Sequence, residues 1–490
     1  MLQSIGINSG TRLVSEDGRQ AFPAKRQAAL TFLISIMLSS CLLPPVPLYW
    51  DAFVTPKWYA AGIGIFLLAT YLLRFGKSIP KACFAKSFRQ AALVAILFEL
   101  LFVVCEFLRE GGSALEVGLC GTYDTPAGLA LSLCLLLAPA CQAIGNKRLP
   151  WAILLTAVVC VAVALSKSRT GLIALSAIGF YGVWRRTHIR FWMKCTLGLF
   201  LAVALIWGAL SYKPQSTKGR LFIAQRTFQL IQRHPLSGYG PGGFLKEYMD
   251  CQGRFFAQHP YHEAAMLADE VQHPLCEFLY AWTELGLLGP LALVSLFAWI
   301  FLQSSASRWI LLPLFVFCCF SYPLLYPIGW LPFFAGLAEF SAKKWHFWLL
   351  KAGAGLFLLA VFMKLCMDLG FIASPFHSYN RASRAYRKGQ FAEAEIAARQ
   401  CSQCCSSYNL ELLSGDIEHH LGNDSAAVQH YISASHMCPV RFAPLEGLYA
   451  AYSAMGDTAM AKSVAKAIAE KPIKIQSSEV YRIKNEILNK

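Results

Sequence analysis

The sequence predicts an all-α protein: a polytopic bundle of transmembrane helices followed by an extracytoplasmic stack of helical repeats. Three observations carry that expectation. Of 490 residues, 56% are hydrophobic and 15% charged, against about 25% charged in an ordinary soluble domain. Long apolar runs alternate with loops whose basic residues fall on one side. Beyond residue 375 the composition changes to small and charged residues, with turn glycines recurring at a near-constant period.

Taken in order, residues 1–26 are polar, and Arg12, Arg19, Lys25 and Arg26 precede the first apolar run, so this segment reads as cytoplasmic and not as a cleavable signal. Apolar runs follow near 27–48, 58–73, 91–108, 126–144, 149–166, 171–184, 191–210, 286–302, 309–325, 327–340 and 346–366. Read as spans they number about eleven, within a range of ten to twelve, although several are shorter than the ~20 residues of a perpendicular helix. With the N-terminus inside, the inner loops hold Arg74, Lys77, Lys81, Lys86, Arg89, Lys147, Arg148, Arg185, Arg186, Arg190, Lys194, Arg308, Lys343 and Lys344. The short outer loops hold Lys57, then Arg109 beside Glu110, Glu116 and Asp124. This is the positive-inside bias. It places a large loop, 212–285, and everything after residue 370 outside the cytoplasm. The expected domains are thus 1–26, a membrane domain 27–370 and a repeat domain 375–490.

The net charge of +16 is largely topological, and no basic tract interleaved with aromatics resembles a nucleic-acid surface. Topology leaves Lys167, Arg169, Arg220, Arg226, Arg233 and Arg254 unexplained, all on the outer side where an anionic lipid-linked substrate would arrive. Most of the 17 cysteines sit in apolar runs, while Cys401, Cys404, Cys405 and Cys438 fall in the tail, where an oxidising compartment permits disulfides.

In the tail, three units begin Gly389-Gln390-Phe391-Ala392-Glu393-Ala394, Gly422-Asn423-Asp424-Ser425-Ala426-Ala427 and Gly456-Asp457-Thr458-Ala459-Met460-Ala461. The glycines are 33 and 34 residues apart, and Pro439 and Pro472 are also 33 apart. That period, with small residues where two helices cross, is similar to the tetratricopeptide repeat. Such a stack either offers a groove to a protein partner or packs as a cap on the membrane domain.

Several residues carry candidate chemistry. Ser168-Arg169-Thr170-Gly171 sits between two apolar runs, and an arginine there is costly unless paired or solvated, which makes Arg169 a functional candidate. Arg220 opens an expected helix, 220–233, on which Arg226 is the reserve choice. Gly238, Gly240 and Gly242 form a turn that is either an anion-binding nest of N–H groups or a chain reversal. His273 begins another expected helix, with Glu277 four residues on and Glu284 eleven on, near one face. A neutral imidazole oriented by a carboxylate accepts protons near neutral pH. His259, His262 and Glu263 do not have the zincin spacing, and no metal is expected there. No Asp-x-Asp pair, P-loop or dinucleotide fingerprint is present, so no cofactor is expected.

Four pieces of this sequence together resemble the O-antigen ligase family of bacterial glycosyltransferases. They are Ser168-Arg169-Thr170-Gly171; Arg220-Leu221 with His234-Pro235-Leu236 fourteen residues later; Gly238-Tyr239-Gly240-Pro241-Gly242; and His273 followed by Glu284-Leu285-Gly286-Leu287-Leu288-Gly289. The chain departs from the family's usual pattern at Ala224, where Trp is common, and at Pro274, where Asn is usual. The resemblance implies an enzyme of the bacterial inner membrane with its large loop and tail in the periplasm. It implies transfer of a glycan from an undecaprenyl-pyrophosphate donor to a hydroxyl acceptor, without metal and with inversion. Arg169 and Arg220 would bind the pyrophosphate and His273 would be the base. The acceptor is either a lipid A–core sugar or a Ser/Thr of an exported protein, and the repeat tail favours a protein acceptor or partner. Other readings are a polysaccharide polymerase of the same superfamily, a lipid-glycan transporter, or a membrane-anchored scaffold in which the repeats alone matter.

Overall fold

A computed structural model describes residues 23–46, 53–75, 79–112, 118–186, 190–196, 198, 200, 208, 214–303, 308–333, 375–474 and 477–488. Residues 1–22, the span expected at 346–366, and parts of those expected at 191–210 and 327–340 lie outside the described residues. Every regular element among the described residues is helical. The chain divides into two units: the described residues of 1–185 and 323–361 with Trp299–Phe317, and those of 186–298 and 362–490 with Cys318–Tyr322.

The first unit contains α1 (Ala24–Ser40), α2 (Thr55–Phe75), α3 (Lys81–Glu110), α4 (Pro126–Ile144), α5 (Leu149–Leu165) and α6 (Arg169–Arg186). Its centre is α4, where Leu129, Leu131, Leu133, Cys134, Leu135 and Leu136 are each no more than 1% exposed. Pro126 at the helix start and Thr125, whose side chain accepts the Gly128 N–H, fix where α4 begins. α3 packs against α4 and α1, α1 against α2, and α4 against α5. Thr31 Oγ1 bonds Ser87 Oγ at 2.9 Å to join α1 to α3. The outward faces are apolar: Leu97, Leu101, Val104 and Leu108 of α3, and Trp151, Ile153, Leu154, Val158 and Val161 of α5, are all at least 42% exposed. In water such a surface is penalised at about 25 cal/mol per Å², whereas lipid removes the penalty.

Among the described residues, Ala82–Glu110 and Pro126–Ile144 are long and apolar enough to cross a bilayer. Leu149–Leu165, Leu288–Leu302 and Arg308–Phe320 are apolar but shorter. The run expected as a span at 309–325 is interrupted: its helix stops at Phe320, and Pro323–Leu325 is a single 3₁₀ turn. Proline at 323 removes an N–H donor and disfavours helix in the residue before it.

In the second unit lie α7 (Pro214–Arg233), α8 (Gly243–Gln258) and α9 (Glu277–Leu285). Two further helices, α10 (Leu288–Gln303) and α11 (Arg308–Phe320), contribute residues to both units. The tail consists of α12 (Pro375–Arg387), α13 (Phe391–Ser402), α14 (Tyr408–His420), α15 (Asp424–Met437), α16 (Ala443–Ala454), α17 (Thr458–Glu470) and α18 (Ser478–Leu488), each packed on the next. The periodic glycines Gly389, Gly422 and Gly456 have φ of +73°, +81° and +74° and close α12, α14 and α16. Only glycine adopts that left-handed turn without penalty. Tyr431 is wedged against Gly415 and Gly447, and a Cβ at either glycine would run into its ring.

The loop and the tail, expected to belong to separate domains, share a hydrophobic core. Leu230, Phe244, Tyr248, Met249 and Cys251 of the loop cluster with Tyr408, Ala434, Met437 and Cys438 of the tail. α8 packs directly on α15.

Candidate active site

The tetrapeptide at 168–171 is shaped by three local constraints. Ser168 Oγ accepts the Gly171 N–H at 3.2 Å, which caps the start of α6. A Cβ on Gly171 would fall 2.6 Å from Ala130 Cβ and 2.9 Å from Val163 Cγ1, so glycine lets α6 approach α4 and α5 closely. Thr170 is buried, and Arg169 is half-buried at the first position of α6. A cation there opposes the positive end of the helix dipole, an arrangement that stability does not favour and an anion would.

The loop before Arg169 is held by charged side chains that sequence reading did not single out. Lys57, expected in an outer loop, lies instead in the first turn of α2 and is fully buried. Its Nζ donates to Phe53 O at 2.9 Å and Thr122 O at 2.6 Å. Buried Glu99 of α3 accepts the Thr122 N–H and Oγ1–H at 3.2 and 2.9 Å, and Glu106 accepts the Cys120 and Gly121 N–H groups. The strand of backbone so fixed reaches Ser166: Leu119 N–H donates to Leu165 O, and a Cβ on Gly118 would lie 2.6 Å from Ser166 O. A carboxylate inside an apolar run, as at Glu99, is the signal that would have found this clamp.

In the second unit, α7 starts at Pro214, not at 220, so Arg220 lies in its second turn. Arg220 Nη1 donates to Phe320 O. Arg226 has a different task. Its guanidinium carbon sits 4.1 Å from the Phe255 ring centroid and 5.4 Å from that of Phe222, a cation held between rings. Lys218 pairs with Glu263, His262 Nδ1 accepts the Ala264 N–H, and His259 Nδ1 lies 3.1 Å from Phe255 O.

The glycine turn resolves as a chain reversal locked to α9. The N–H of Gly238 donates to His234 O, that of Tyr239 to Thr283 O, and that of Gly240 to Glu284 O, at 2.9–3.0 Å. Gly242 N–H donates to the Glu284 carboxylate at 3.0 Å. These amides are therefore engaged within the protein, and the anion-nest reading of Gly238, Gly240 and Gly242 is not met. Their φ values of +65°, +84° and +80° explain the glycines, and a Cβ on Gly238 would lie 2.5 Å from Glu284 O.

His273 does not begin a helix. α9 starts at Glu277 with Cys276 as its cap, so His273, Glu277 and Glu284 do not lie along one helical face as expected. Pro274 disfavours helical geometry at His273, and Leu275 is held at φ +58°. The half-buried imidazole stacks on Tyr322 with centroids 5.1 Å apart, and it meets Tyr280 at 5.7 Å. Burial lowers the imidazole pKa from 6.5 to about 4, so it is neutral at neutral pH. Tyr280 hydrogen-bonds Glu284, whose pKa is raised by burial against the opposing bonds from Tyr280 and Gly242. Glu284 thus holds Tyr280, one of the two rings beside the imidazole. Buried Glu277 opens α9 and favours its N-terminal dipole.

Two features mark these residues. Among the described residues, the non-glycine positions with positive φ are Lys167 at +55° and Leu275 at +58°. Each is two residues from a candidate, Arg169 or His273. Such geometry costs about 1–2 kcal/mol and tends to persist where surrounding structure imposes it. The second feature is the segment 320–322, which receives Arg220 at its first residue and His273 at its last. Tyr322 carried no sequence signal, because its contact is set by the break after α11.

The first unit is helical with apolar outward faces, and the second holds an arginine bonded to a backbone carbonyl and a half-buried histidine that is neutral at neutral pH. Residues 152–294 match the family model described as O-antigen ligase. That stretch, which carries all the candidate residues from Arg169 to Glu284, is similar to the O-antigen ligase family. The family is one of integral membrane proteins performing ligase- or polymerase-type glycosyl transfer. A comparison with curated proteins found no match.

Proposed function

We propose that the protein transfers a glycan from an undecaprenyl-pyrophosphate donor to a hydroxyl acceptor at the outer face of the bacterial inner membrane. The observation that supports this most is the convergence of Arg220 and His273 on the 320–322 segment. The acceptor oxygen attacks the anomeric carbon while the bond to the pyrophosphate oxygen breaks. The acceptor proton passes to the neutral imidazole of His273, and the lipid pyrophosphate leaves with its electron pair. Attack opposite the leaving group inverts the anomeric centre. Arg220, its fork fixed by Phe320 O, makes charge-assisted bonds that strengthen as the leaving group gains charge. The same ligand chemistry, a phosphate oxygen, suits Arg169 at the start of α6. Arg226, held between rings, steers donor approach by its charge without reaching it. No cofactor or metal takes part in this scheme.

The loop and tail are periplasmic in this reading, and the tetratricopeptide-like tail remains a candidate docking element for an exported protein. The test is transfer by full-length protein in proteoliposomes from undecaprenyl-pyrophosphate glycan to lipid A–core and, separately, to Ser/Thr peptides of exported proteins. Product on either acceptor supports the reading and names the acceptor. Elongated donor with neither acceptor used would make the protein a polymerase, and no glycosidic product with any acceptor would overturn the proposal.

A further inference from the structure

The segment that delivers His273 is anchored by groups of α8 and of the tail. Gln252 of α8 is fully buried, and its Nε2 donates to Asp269 O at 3.1 Å and to Met437 O, at the end of α15, at 2.7 Å. Its Oε1 takes the Tyr248 hydroxyl at 3.2 Å, so the whole amide is used. Arg441 grips Asp269 through both carboxylate oxygens, with three bonds of 2.9–3.1 Å. Asn409 Nδ2 donates to Glu270 Oε2, and Val271 packs into the core formed by loop and tail together. Ser406 N–H of the tail donates to Leu245 O at 3.1 Å, adding a backbone bond at the start of α8. Three successive residues, 269–271, are therefore fixed, and the imidazole follows two residues later.

We propose that the C-terminal helical repeats are the positioning element of His273, acting through Gln252, Asn409 and Arg441 on the 269–271 backbone. This rests on the reading of His273 as the base. The tail then serves every acceptor alike, because it sets the geometry of proton removal and not the choice of hydroxyl. An exposed ion pair contributes little to stability, but a bidentate one fixes direction, and a displacement of about 1 Å at a base costs on the order of 100-fold in rate.

The test uses full-length protein in proteoliposomes with Gln252→Glu, Arg441→Ala and the charge swap Asp269→Arg with Arg441→Asp. Each of the first two should lower kcat about 10- to 100-fold while donor KM stays within about twofold, since ground-state binding is untouched. The swap should return kcat to within about threefold of wild type. Hydrogen–deuterium exchange at 267–276 should rise in both single variants and fall back in the swap. Wild-type kcat in both single variants, or unchanged exchange at 267–276, would overturn the proposal. The exchange result is read independently of turnover: absence of any glycosylated product would overturn the proposed function, while unchanged exchange at 267–276 would overturn the positioning by the tail.

Discussion

His273 stacks on Tyr322 at 5.1 Å, two residues beyond the carbonyl of Phe320 that takes the Arg220 guanidinium. A short stretch after α11 thus orders both the candidate base and the candidate anion ligand. The family stretch ends at residue 294, so Tyr322 is an element of this arrangement that lies beyond it. Tyr322→Ala should therefore lower transfer about tenfold or more by loosening His273, whereas Tyr322→Phe, which keeps the ring, should stay near wild type. Steady-state transfer rates of the two variants check this.

The pH response of His273 has a definite sign. Its folded pKa, about 4, lies below the ordinary 6.5. Between those values the unfolded chain binds a proton that the folded chain refuses, so stability falls as pH drops through this window and is unaffected above it. Melting of wild type against His273→Gln in detergent, from pH 4 to 8 (about the range His spans), should show a steeper acid loss in wild type. Identical slopes would mean that the imidazole is not buried as described.

Leu275 gives a test of imposed backbone geometry. Leu275→Gly should fold and retain activity, because glycine accepts φ +58° freely. Leu275→Val should lose about 2 kcal/mol and most transfer, since a β-branched residue resists that region. Equal melting temperatures for the two variants would count against it.

Gly238 is read as a docking point and not as a ligand for anions. Gly238→Ala places a Cβ 2.5 Å from Glu284 O at φ +65°, and should separate the turn from α9 at a cost of about 2–3 kcal/mol. The measurement is thermal melting with exchange at 236–243. A variant as stable as wild type would return the turn to a role in ligand binding.

The buried clamp in the membrane unit should behave as two side chains sharing Thr122. Lys57→Met removes the donor from Phe53 O and Thr122 O and should destabilise by about 1–3 kcal/mol. Glu99→Leu, which leaves the Thr122 N–H and hydroxyl without their acceptor, should cost a similar amount. Denaturation of both variants in detergent checks this.

The helical class, the periodic glycines and the candidate residues were legible because each depends on local chemistry. Gly389, Gly422 and Gly456 announce left-handed turns by identity and period. The starts of α7 and α9 were misplaced, since Pro214 and the left-handed Leu275 decide them and neither follows from the pattern of arginines and carboxylates. Glu284 is named by the sequence as a candidate, but its bond to Gly242 N–H is a contact across 42 positions that no spacing reveals. The union of loop and tail was equally hidden, because Gln252 and Met437 are 185 positions apart.

The account's central claim is that Arg220 and His273 act on one donor. The most direct measurement is the release of undecaprenyl pyrophosphate, together with the anomeric configuration of the product, from purified wild type, Arg220→Ala and His273→Ala. One lipid pyrophosphate released per glycan transferred, an inverted product, and a loss of at least about 100-fold in each variant is the predicted result. Retained configuration, or wild-type release in both variants, would contradict it.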